Sequence, residues 1–185
     1  SSQCKHVLSI LLVLLYGCAS NPETSSPNKK QYWPEPPATP RFAHEFSLRN
    51  SLDIHVYSEE ENLKRRLYGD DPKGFGLAKP FALVARKGRI YITDTSINQV
   101  HVFDIPRRRY FRMGYRFEGT LSDPRGIAVD HQGQVYVVDS GSKRIVIYDA
   151  AGLFIKELPL EDDVSKPTGI AVSADGSSLY LVDTG

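Results

Sequence analysis

"GIAVDHQGQVYVVDSGSKRIVIYD" occupies Gly126–Asp149. A looser copy, "ALVARKGRIYITDTSINQVHVFD", precedes it at Ala82–Asp104, and a third, "GIAVSADGSSLYLVDTG", runs from Gly169 to Gly185. Pro80, Pro124 and Pro167 recur at spacings of 44 and 43, and Asp94, Asp139 and Asp183 at 45 and 44. A unit of this length suits one blade of a β-propeller.

Within the unit, "GIAV" (Gly126–Val129), "QVYVVD" (Gln134–Asp139), "RIVIYD" (Arg144–Asp149) and the weaker "LFIKEL" (Leu153–Leu158) read as four strands. They are rich in Val, Ile and Tyr and bounded by Gly, Asp and Ser. The second and third are almost continuously apolar, as expected of strands covered on both faces. Blades sandwiched between near copies meet that requirement; one sheet alone does not. "DHQGQ", "ADG" and "RKGR" place Gly133, Gly176 and Gly88 where hairpins need positive φ. Asp94, Asp139 and Asp183 close the second strands and are expected to be structural, accepting N–H groups in the turn that follows.

Hydrophobic residues make up 41% and charged residues 24%, with a formal net charge of +1, so no global basic or acidic surface selects a partner. The two cysteines, Cys4 and Cys18, lie near the start and cannot build a disulfide framework. Lys5 precedes "VLSILLVLLYG" (Val7–Gly17), an apolar run too short for a spanning helix, as an export signal would have it. Removal of residues 1–17 would leave 22 basic and 22 acidic residues. The Pro- and Ser-rich stretch 18–40 reads as a semi-rigid tether. Residues 41–76 lead into the repeats: "RFAHEFSL" (Arg41–Leu48) as an extended strand, then Ser58–Gly69 as a short helix. Ser58 and Glu61 suggest a capping box, Gly69 a stop, and Leu63 and Leu67 an apolar face packed on the rim of the sheets. Lys64, Arg65 and Arg66 read as a solvated face.

The repeats resemble the NHL family, on "PRGIAVDHQGQVYVVDSGSKRIVIYD" and "KPTGIAVSADGSSLYLVDTG", with the unit at Phe81 a looser member. WD40 repeats are similar in length, but the single Trp lies in the tether and no Trp-Asp pair occurs. The resemblance implies an all-β, NHL-type propeller of four-stranded blades, commonly six. About two and a half of these would lie in 77–185, making the chain a fragment. It also implies that the N-terminal strand completes the last blade. "LYGC" resembles the bacterial lipoprotein signal, with Cys18 as lipid attachment site, although Tyr16 stands where a smaller residue is favoured; an ordinary signal peptide is the alternative. With "WPEPPATPRF" (Trp33–Phe42), the whole resembles exported bacterial propeller lipoproteins.

Phe81, Arg125 and Thr168 open the innermost strands and are the candidate channel-mouth residues. None is a common metal ligand, and His44, His55, His101 and His131 lack metal-ligand spacing. No nucleophile or phosphate-loop motif is present. "PRRRYFR" (Pro106–Arg112) is basic and aromatic, as in some RNA-binding propellers, but export removes nucleic acid and a polar turn between third and fourth strands explains it. The expectation is therefore a non-catalytic binding scaffold in the cell envelope. It would be held to the membrane through lipid on Cys18 and would need no cofactor or metal. Its partner would be an envelope protein or a small ligand. The alternative is a metal-dependent lyase or lactonase whose ligands lie in further blades.

Overall fold

The computed structural model describes residues 30–69 and 73–185. The stretch expected to be an export signal, Cys18 and residues 18–29 of the expected tether lie outside the described residues. The chain divides into two units, one ending at Phe46 and the other running from Ser47 to Gly185.

In the first unit, β1 (Tyr32–Trp33) pairs antiparallel with β2 (Phe42–Ala43), Trp33 opposite Phe42. Two further bonds extend the hairpin: Arg41 N–H donates to the Trp33 carbonyl and His44 N–H to that of Gln31, both at 2.8 Å. The expected strand at 41–48 is thus shorter, and among the described residues it pairs with β1. The proline-rich turn brings Tyr32–Trp33 close in sequence, and a local partner needs less loop closure than a distant sheet edge.

The second unit opens with a 3₁₀ turn, Ser51–Ile54, capped by Asn50. Helix α1 (Glu59–Tyr68) follows, with the reciprocal Ser58–Glu61 capping box and Gly69 at φ 64° closing it. Its leucines do not pack on the sheets: Leu63 and Leu67 are 56% and 66% exposed, and no helix residue is buried. Phe75, beyond the helix, takes the covering role instead. Its ring stacks on Tyr110 at 5.7 Å. No helix among the described residues is long and apolar enough to cross a membrane.

The repeats fold as antiparallel sheets. The first blade is β3 (Pro80–Arg86), β4 (Arg89–Asp94), β5 (Gln99–Asp104) and β6 (Arg109–Met113), paired in chain order. The second is β7 (Pro124–Val129), β8 (Val135–Asp139), β9 (Arg144–Tyr148) and β10 (Phe154–Pro159), paired likewise. The chain continues into the two strands β11 (Pro167–Val172) and β12 (Leu179–Asp183). Residues Lys87 and Gly88, at φ 49° and 76°, form the tight β3–β4 turn for which a glycine was expected. The arginine run is not all turn: Arg109–Arg112 belong to β6, where Tyr110 and Phe111 cover opposite faces.

The core explains the unbroken apolar runs. Val135 and Val137 of β8 and Val146 and Tyr148 of β9 face Tyr91, Val100, Val102 and Met113 of the first blade. The alternate residues Tyr136, Ile145 and Ile147 face Ile170, Leu179 and Leu181 of the third sheet. The second blade is therefore covered on both sides, and each such side chain stabilises by roughly 1.5–3 kcal/mol on burial. The first strands set the closeness of the stack. A Cβ on Gly126 would lie 2.8 Å from Ile170 N and 2.9 Å from the Thr168 carbonyl oxygen, so only glycine fits.

Candidate functional site

Each first strand begins with a proline opposite the aspartate that ends the second strand: Pro80 with Asp94, Pro124 with Asp139, Pro167 with Asp183. The register shifts immediately afterwards in all three. Phe81, Arg125 and Thr168 all sit in these irregularities, where a bulge redirects side chains out of the ladder.

The aspartates fix where those bulges start. Asp94 accepts the N–H groups of Ala78 (2.7 Å) and Lys79 (3.0 Å). Asp139 accepts those of Ser122 and Asp123, both at 2.9 Å. Asp183 accepts those of Ser165 (3.0 Å) and Lys166 (2.6 Å). The donors come chiefly from the segment leading into the first strand; Ser96 N–H, 2.9 Å from Asp94, and the Thr184 and Gly185 amides beside Asp183 are of the expected kind. The antiparallel pairing of first and second strands brings that segment to the aspartate. Backbone N–H groups of Ser165 and Lys166 hold the exposed Asp183 carboxyl below its ordinary value.

Phe81 and Arg125 meet across the two blades. The Arg125 guanidinium lies 5.0 Å from the Phe81 ring centroid, and Asp123 Oδ2 accepts from its Nε at 2.9 Å. Thr93 ties the same two strands: its hydroxyl donates to the Arg125 carbonyl at 2.8 Å and accepts from Ala82 N–H at 3.0 Å. Thr168 stands on the neighbouring first strand, its hydroxyl 3.5 Å from the Val182 carbonyl. The face thus offers a half-exposed ring, an oriented cation and a hydroxyl, suited to non-covalent recognition. Among the described residues no three His, Cys, Asp or Glu side chains converge as metal ligands.

His101, noted in the sequence only for lacking metal-ligand spacing, is fully buried inside the first blade. His101 Nδ1 lies 2.7 Å from the Tyr110 hydroxyl, and its Nε2 lies 3.4 Å from Asp94 Oδ2. Nε2 thus faces the Asp94 carboxylate at ion-pair distance without a hydrogen bond, while Nδ1 shares one with the Tyr110 hydroxyl. Burial depresses the His101 pKa more than the attraction of Asp94 raises it. Burial, with a smaller push from Asp94, drives the Tyr110 hydroxyl up to about 12. The available signal was one polar residue inside "QVHVFD", at the position Val146 holds in the next unit.

Residues 121–148 match the NHL repeat, from just before β7 to the end of β9. This stretch is an NHL repeat. Around it the chain is mostly β, in antiparallel blades of the NHL propeller type. Among solved structures, hydrazine synthase of Kuenenia stuttgartiensis is 24% identical with a TM-score of 0.50, over 59% of this chain and 30% of that one. A streptogramin B lyase is 22% identical with a TM-score of 0.50, over 60% of this chain and 37% of that one. The NHL-bearing chain spans well under half the length of either, and these likenesses concern fold alone. No curated protein matches its sequence.

Proposed function

We propose that these blades belong to an exported β-propeller that acts as a non-catalytic binding scaffold in the bacterial cell envelope, anchored by lipid on Cys18. The observation that carries the binding role is the Phe81–Arg125 contact at the bulged openings of adjacent first strands. A ring and a fixed cation on rigid strands suit recognition of an envelope protein or small ligand. The resemblance of "LYGC" to a lipoprotein signal supports the anchor: one acyl chain binds a bilayer only marginally, whereas two or more hold a soluble domain stably.

Two measurements test this reading. Cys18→Ser should move the protein from the membrane to the soluble fraction; retention on the membrane would overturn the anchor. Metal analysis of the protein purified from its host should find no stoichiometric zinc or calcium. A bound ion with ligands on first strands would replace the scaffold by a metal-dependent lyase or lactonase.

A further inference from the structure

A groove of about 650 Å³ separates the outer part of the first blade from that of the second. One wall is β6 with the loop that leaves it through Phe117; the other is the turn from Ala150 to Phe154. Phe111 and Phe154 line it and pack against the apolar core between the blades. The size lies within the roughly 300–1,000 Å³ of small-molecule sites.

Its charge is unbalanced. Arg89, Arg109 and Arg116 line it against Asp104 and Glu118, while the Arg112 guanidinium lies on the opposite face of β6, 4.3 Å from the Phe75 ring. Asp104 is already engaged, accepting from Arg89 Nε at 2.8 Å and lying 3.2 Å from Arg107. Arg109 and Arg116 have no carboxylate within ion-pair distance among the described residues, and the Arg116 guanidinium rests only near the Tyr115 ring, at 5.8 Å. Beside it Phe117 is 99% exposed, a large apolar ring left in water at the edge of a cavity.

We propose that this groove binds a small organic anion. Its carboxylate, sulfonate or phosphate meets Arg109 and Arg116, and its aromatic or other apolar body lies against Phe117, Phe111 and Phe154. Charge complementarity selects the anion, and the phenyl rings distinguish it from a bare inorganic ion. The site lies wholly between two complete blades and is independent of the first-strand face.

Calorimetry with 2-naphthoate, neutral 2-naphthamide and acetate tests this on the full chain. The naphthoate should bind at least tenfold more tightly than either of the others. Arg116→Gln should weaken it at least fivefold, and Phe117→Ala should weaken both naphthyl compounds. Both side chains are exposed, so circular dichroism should be unchanged. Arg125→Gln should leave naphthoate binding intact, which separates this site from the scaffold reading. Equal affinity for the two naphthyl compounds, no naphthoate binding, or affinity unaltered by both Arg116→Gln and Arg109→Gln would overturn the proposal.

Discussion

His101 Nε2 lies 3.4 Å from Asp94 Oδ2 inside the first blade, with both side chains fully buried. In the second blade Arg144 takes the corresponding role, its Nε 3.2 Å from Asp139 Oδ2. One repeat thus pairs its strand-ending aspartate with a titratable base, the next with a permanent cation.

That difference predicts a pH dependence specific to the first blade. Burial lowers the His101 pKa from its ordinary 6.5, so the unfolded chain binds its proton more readily than the folded one. Stability should therefore fall as pH drops below 6.5, towards the folded value of His101. Asp94 adds a second loss at lower pH. Burial opposes its charge, but the N–H groups of Lys79, Ser96 and Ala78 together outweigh that and hold it below 3.8. Thermal midpoints between pH 7 and 5 should decline in the native chain and much less in His101→Phe. Parallel declines would contradict this.

Asp139 should matter more than Asp183. Both accept two backbone N–H groups, but Asp139 is fully buried and also pairs with Arg144. Asp139→Ala strands those part-buried donors and the half-buried Arg144, and should cost about 1–3 kcal/mol. Asp183 is exposed, water can replace it, and Asp183→Ala should cost less. Urea midpoints for the two variants check the order.

Gly126→Ala should separate the second blade from the third. The new methyl would meet backbone atoms of Thr168, Gly169 and Ile170, which cannot turn away as a side chain would. The expected loss is about 1–3 kcal/mol. Val137→Ala, facing the first blade, should leave the contact with β11 unchanged; chemical shifts of Gly169 and Ile170 distinguish the two effects.

The sheets were legible in the sequence because their faces are covered on both sides. Unbroken Val and Ile runs, glycines at the hairpins and a repeat near 44 residues all follow from stacking one design against itself. The capping box of α1 was equally legible, being local chemistry. What was not legible depends on which residues meet across the chain. Leu63 and Leu67 have helical spacing, yet Phe75 covers Tyr110. The run Arg107–Arg109 reads as turn because of its charge, while β6 hides behind it in a half-polar outer strand. For the candidate face, the matching prolines located Phe81, Arg125 and Thr168, but not the bulges that hold them or the contact between Phe81 and Arg125.

The stacking of blades is tested most directly by amide hydrogen exchange along the second one. Val135–Val138 and Ile145–Tyr148 are sheltered by sheets on both sides and should be the slowest amides in the chain. Those of β12, with Tyr180 and Val182 exposed, should exchange far faster. Equal exchange rates in β8, β9 and β12 would contradict the account.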